Sequence, residues 1–274
     1  MLKKILLYEY RAIRRQFLVM AILFAAVGVL GSLLGILIEA LATSEHFYFF
    51  YSLLVMAELA VAAVPLLLLL VSGFLLLYRF YTSTFTDEGY LTFMLPISRA
   101  TLFGGKVLFG VIGLAVSGGM MLLSYLLLFG IPALLYPEGM WETLAAVLEL
   151  FLLPQDPQGA LVVATLIVAL LSLVVQVFSV LLLGYTAIVL GATYFKKQKL
   201  LGAILFAALL YVVVQLLSGG IALVVSFLSL SNEYVSPYLM PLLSSSLSLL
   251  LFLGLGVGGY FLSYTRIKRH LNLE

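Results

Sequence analysis

Cysteine is absent from this chain of 274 residues, and histidine occurs only at His46 and His270. Without cysteine there is no disulfide and no thiolate metal site. Both histidines fall outside the long apolar runs, and no H-E-x-x-H or comparable cluster occurs, so an intramembrane enzyme would lack convergent catalytic groups. Charge is scarce as well: 9% of the residues are Asp, Glu, Lys or Arg, against about a quarter in a typical soluble domain. What is abundant is apolar, 64% of the chain, with a mean hydropathy of +1.24. No soluble fold of this length hides that much apolar surface, so the expected solvent is lipid. The apolar stretches run well past about 18 residues, whereas barrel strands are about 10 residues of alternating polarity. The expected fold class is therefore an all-α integral membrane protein.

Apolar spans are expected at about 17–38, 50–77, 107–134, 160–190, 201–229 and 240–262. Each is long enough to cross about 30 Å of hydrocarbon at about 1.5 Å per residue. The 14 Lys and Arg residues then sort onto one side. Lys3, Lys4, Arg11, Arg14 and Arg15 precede the first span, and Arg79, Arg99 and Lys106 lie between the second and third. Lys196, Lys197 and Lys199 separate the fourth from the fifth, and Arg266, Lys268 and Arg269 follow the sixth. The opposite loops carry only acids: Glu39, Glu45, Glu138, Glu142, Glu149, Asp156 and Glu233. Cations in short loops mark the cytoplasmic side, so six transmembrane helices with both termini cytoplasmic are expected. The basic head, apolar run and Ala40-Leu41-Ala42 superficially suggest a signal peptide. That run is too long for one and five more follow, so 17–38 reads as a retained helix.

Three parts follow: an interface helix at 1–16, a transmembrane domain at 17–262 containing a cytoplasmic loop at 78–106, and a cytoplasmic tail at 263–274. On a wheel of about 100° per residue, the five cations of residues 2–15 fall within an arc of about 120°. Leu2, Ile5, Leu6, Ala12 and Ile13 lie opposite. Such a helix lies on the inner leaflet, with its cations near anionic headgroups. Glu9 sits within the apolar face. Either it snorkels or pairs locally, or this face packs against protein and Glu9 bonds a cation there.

The loop at 78–106 is filled with aromatic and aliphatic residues, unlike a solvated linker. Thr86-Asp87-Glu88 can cap and start a short helix, Pro96 should end it, and Ser98 can cap the helix of the third span. A short apolar helix there docks either on the membrane and its own bundle or on a cytoplasmic partner. On the other side, Trp141 through Leu153 reads as an interfacial helix between Pro137 and Pro154.

Glu58 is the one ionisable side chain well inside a span, and Pro65 lies two turns deeper, where it should kink the helix and free a carbonyl. A buried acid in lipid is costly and faces a cavity or a partner. Glu58 and Pro65 are thus candidates for a substrate path or gate, with a structural hydrogen bond to Gln176 or Gln215, or a protonated neutral acid, as the alternatives. Gly31 and Gly35 form a small-xxx-small pair, and Gly254, Gly256, Gly258 and Gly259 crowd the last span, a spacing that suits a dimer face. No phosphate-binding loop exists: Gly104-Gly105-Lys106-Val107 lacks the upstream glycine and the hydroxyl residue. No segment between spans is large enough for an ATPase domain. No catalytic residues, no metal and no nucleic-acid partner are expected.

The run Asp87-Glu88-Gly89-Tyr90-Leu91-Thr92-Phe93-Met94-Leu95-Pro96-Ile97-Ser98-Arg99, followed by Lys106, resembles the signature of small ABC-2 type transporter permease subunits of Gram-positive bacteria. The basic head opening with Leu2-Lys3-Lys4 and the six spans agree with it; the match in sequence covers about twenty residues, the rest being generic apolar helix. The resemblance implies that two such permeases, a second copy or a related chain, bind two cytoplasmic ABC ATPase subunits, which hold the ATP and Mg²⁺; this chain binds no cofactor. It implies a coupling helix carrying Asp87, Glu88, Gly89, Tyr90, Leu91, Phe93, Leu95, Pro96 and Arg99. It also implies an ATPase contact near Glu9, Arg11, Arg14 and Arg15, with a lesser one around Lys196 to Lys199. The expected function is export of a hydrophobic or amphipathic substrate, such as a peptide antibiotic, across the plasma membrane. Two other classes stay open: an envelope-sensing scaffold or signalling protein that binds ligand without moving it, and a proton-coupled carrier using Glu58, whose transport would follow a pH gradient.

Overall fold

Lipid offers the backbone no hydrogen-bond partner, so a chain this apolar must satisfy its N–H and C=O groups internally, and helices do this one segment at a time. The computed structural model describes residues 2–42, 48–86, 88–89, 98–136, 157–195, 197–231 and 239–270. Among them are six long helices and no strand: α1 (Leu2–Ala42), α2 (Tyr48–Phe85), α3 (Arg99–Leu135), α4 (Pro157–Tyr194), α5 (Lys199–Ser231) and α6 (Leu239–His270). All six are long and apolar enough to cross a membrane. Each expected span lies inside one of them. The chain thus has the architecture of a multi-pass membrane protein. The interfacial helix expected at Trp141–Leu153 lies outside the described residues.

The helices overrun the spans. No break separates residues 1–16 from 17–38: α1 is one helix from Leu2 to Ala42. The change from basic to apolar sequence at residue 16 alters the surroundings a side chain prefers. It supplies no proline, glycine or cap to stop the backbone. Likewise α2 continues past residue 77 to Phe85, and α3 already begins at Arg99.

The helices form two compact units. One comprises residues 1–79 and 108–146, the other 80–107 and 147–274. In the first, α1 and α3 run parallel in close approach. A Cβ on Gly31 would stand 2.5 Å from Leu128 Cγ, and one on Gly35 would stand 2.7 Å from Pro132 Cγ. Leu128 is fully buried there. The Gly31/Gly35 face, expected to suit a dimer, is thus occupied within the chain, because a sequence does not say which helix a small-residue face will meet. On α2, Pro65 is buried and has no N–H for the carbonyl of Val61. The adjacent carbonyl, Ala62 O, accepts a hydrogen bond from Tyr125 Oη of α3 at 2.9 Å.

In the second unit, α4 and α6 are joined by hydroxyls and small residues. Ser179 Oγ donates to Phe252 O at 2.7 Å, and Ser263 Oγ to Thr186 Oγ1 at 3.1 Å. Gly256 gives Ser179 its room, since a Cβ there would lie 2.8 Å from Ser179 Oγ. At the turn between α4 and α5, a Cβ on Gly191 would lie 2.5 Å from Ala203 Cα, so only glycine admits that backbone approach. The serines of α6 turn inward on their own helix: Ser244, Ser245, Ser246 and Ser248 each donate to the carbonyl three residues back. Among the described residues, much of the apolar surface is at most partly covered by the chain itself. In the most apolar stretches of α4, α5 and α6 only 11% of residues are buried, which leaves the remainder to lipid or another protein.

Candidate coupling site and the buried charges

The C-terminus of α2 leads into the loop that carries the family-like signature. A helix end leaves its last four carbonyls without helical partners and a partial negative charge of about half an electron. Three of those carbonyls are answered here. Thr86 Oγ1 donates to Thr82 O at 2.5 Å. Lys106 Nζ, from the first turns of α3, donates to Ser83 O and lies 3.3 Å from Thr84 Oγ1. Lys199 Nζ, at the start of α5, reaches Phe85 O at 3.5 Å. Lys106 is 4% exposed. Burying a lysine without such oxygens would be costly; against a helix C-terminus the charge is matched by dipole and hydrogen bond together.

An aromatic cluster floors this end. Phe80 is buried with its ring centroid 4.3 Å from that of Tyr185 on α4, and Phe103 and Phe85 meet it edge-on at 6.1 and 6.4 Å. Phe103 in turn stacks on Tyr260 of α6 at 5.6 Å. Pairs of this kind add about 0.5–1.5 kcal/mol each beyond their buried area. The rigid floor therefore draws on α2, α3, α4 and α6.

Of the expected coupling residues, the structure describes Glu88, Gly89 and Arg99; Asp87, Tyr90, Leu91, Phe93, Leu95 and Pro96 lie outside the described residues. Glu88 and Gly89 have helical backbone, and Gly89 N–H donates to Thr86 O at 2.8 Å. A Cβ at Gly89 would collide with the backbone of Thr84, so the chain turns there at a place only glycine fits. At the far end of the loop, Ser98 caps α3: its Oγ accepts from Thr101 N–H at 3.2 Å. Glu88 and Arg99 are both exposed.

In the first unit, Glu9 is 2% exposed although it lies on a helix expected to rest on lipid. Arg79 of α2 explains this, donating from Nε to Glu9 Oε2 at 2.8 Å. The Arg79 guanidinium also lies over the Tyr8 ring, 6.0 Å from its centroid. Of the two alternatives open for Glu9, the structure has the packed one, with a cation supplied from 70 residues away. Arg11, Arg14 and Arg15 are exposed.

Glu58 is half-buried on α2. Its Oε1 stands 3.2 Å from where a Cβ on Gly35 would be, beside Pro132, and among the described residues its carboxylate makes no hydrogen bond. The residues that sequence reasoning passed over are Arg79 as the partner of Glu9, Lys106 and Lys199 as the caps of α2, and Tyr125 at Ala62. Lys106 did carry a signal, a lone cation inside Leu102-Phe103-Gly104-Gly105-Lys106-Val107-Leu108 that has no solvated face to sit on. No family model, curated protein or solved structure matches the chain.

Proposed function

We propose that this chain is the membrane subunit of an ATP-driven exporter of hydrophobic or amphipathic molecules, an ABC-2 type permease in the plasma membrane. Its loop at 87–99 is the surface on which a cytoplasmic ATPase docks. Both termini lie in the cytoplasm, where positive charge gathers, and the basic face of α1 runs along the inner leaflet. A second copy or a related chain completes the transporter, and ATP and Mg²⁺ are held by the ATPase.

The observation that carries the proposal is the built base of the loop. A segment that receives force from a partner needs rigid attachment. The α2 end has it in Lys106, Lys199 and the Phe80–Tyr185 pair, while Ser98 secures the start of α3. Closure of the paired ATPases would pull on this loop and tilt α2 and α3, the rigid-body route by which such bundles alternate their openings.

The test is co-purification of the tagged chain with the ATPase encoded beside it. Wild type should retain the ATPase, and D87A/R99A should lose it while eluting unchanged on gel filtration. Failure of the wild type to bind any ATPase would overturn the proposal and favour the scaffold or the carrier.

A further inference from the structure

In the first unit a groove opens along α1 and α3. Tyr10, Arg14, Phe17, Leu18 and Ala21 bring to it one face of α1, spaced three and four residues apart, and Phe109, Ile112, Val116 and Met120 one face of α3. Its volume is about 680 Å³, within the range of about 300–1,000 Å³ usual for ligand pockets. The two helices run in the same sense, since Gly28, Gly31 and Gly35 meet Leu127, Leu128 and Pro132 in ascending order. The lining therefore has a direction. Tyr10, Arg14 and Arg15 stand at one end, and beyond Phe17 and Phe109 the walls are apolar up to Ala21 and Met120. From residue 109 to residue 120 a helix rises about 17 Å, about half of the hydrocarbon thickness and so the depth of one leaflet.

The charge at the mouth is unanswered. No acid lines the groove, and Arg14 and Arg15 are exposed and make no ion pair among the described residues. Arg79 in the same unit shows the contrast, since Glu9 holds it. Glu9 is also the sole acid among the first 38 residues, so a second copy packed here face to face would bring cations against cations. The occupant must supply an anion at the mouth and a flexible apolar chain behind it.

We infer that this groove binds an anionic phospholipid of the inner leaflet. Its phosphate sits at Arg14 and Arg15, the Tyr10 hydroxyl donates to a headgroup oxygen, and one acyl chain lies along Phe17, Ile112 and Val116. This goes beyond the transport proposal and does not depend on the ATPase. It rests on the cytoplasmic placement of the N-terminus that the charges indicate.

The experiment measures thermal unfolding of the full chain in neutral detergent with three additives: phosphatidylglycerol, phosphatidylcholine of the same acyl chains, and glycerol phosphate. Phosphatidylglycerol should stabilise saturably, and the other two should not at equal concentration. R14Q/R15Q should weaken the effect about tenfold or more, because each cation near an anionic headgroup contributes appreciably, while R14K/R15K should keep most of it. V116W, at a position 45% exposed, fills the groove without touching the arginines and should also abolish the stabilisation. Equal stabilisation by phosphatidylcholine would overturn the site as anion-selective, and equal stabilisation by glycerol phosphate would reduce it to a plain anion site. An unchanged response in gel-filtration-normal R14Q/R15Q or V116W would overturn the assignment outright.

Discussion

Among the described residues, Arg79 in the first unit is part-buried and Lys106 in the second is buried, and the two are stabilised in opposite ways. Arg79 in the first unit is met by a side chain, Glu9, at 2.8 Å. Lys106 in the second is met by the backbone end of α2, Ser83 O, and by the Thr84 hydroxyl. The first arrangement ties two helices through groups that a single substitution can remove. The second rests chiefly on a carbonyl that every residue type carries, with the Thr84 hydroxyl as the one side-chain partner a substitution could remove. An ion pair ties one particular residue to another, whereas a helix end accepts any cation that reaches it.

Breaking the first arrangement should have the largest effect. E9Q leaves a part-buried guanidinium without its counter-charge and should cost about 3 kcal/mol of stability, read as earlier thermal unfolding in detergent. The double variant E9Q/R79M should recover much of that loss, and additivity of the two changes in this cycle would show that the pair is not coupled. Breaking the second arrangement costs less, because K106M removes the charge together with its burial cost. The loss should be about 1–3 kcal/mol, from the carbonyl left unmet. Hydrogen exchange should rise at the C-terminal turn of α2 and stay unchanged in α5; a global rise would place Lys106 in the general packing instead. K199M sharpens the contrast from the small end. Its hydrogen bond to Phe85 O is long, at 3.5 Å, and only partly buried, so its loss should cost no more than about 0.5 kcal/mol by denaturant midpoint.

The same contrast governs how much could be read from the sequence. The six spans were legible because a run of twenty apolar residues has one solvent to suit it, and every span lies in a helix. Ser98 was legible as a cap because capping is local, needing only the residues that follow. Glu9 was legible as an anomaly, but its partner was not, since nothing local points 70 residues ahead to Arg79. The continuity of α1 past residue 16 was missed because charge patterns report surroundings while helices end on backbone chemistry. Of the candidate site, the cap at Ser98 followed from the sequence, whereas the extension of α2 to Phe85 did not, and the Thr86 hydroxyl turns back to Thr82 O instead of opening a new helix. Its lysine caps needed the tertiary arrangement.

The meeting of Gly31 with Leu128 has a consequence for heredity. With only 2.5 Å between a Cβ at position 31 and Leu128 Cγ, the two positions are a single character spread over two codons. A larger residue at 31 can be inherited only alongside a smaller one at 128. A lineage that changes 31 first passes through an overpacked intermediate costing about 1–3 kcal/mol, and one that changes 128 first passes through a cavity, which is also destabilising. Among diverged descendants of this chain, the two sites should therefore vary together or not at all.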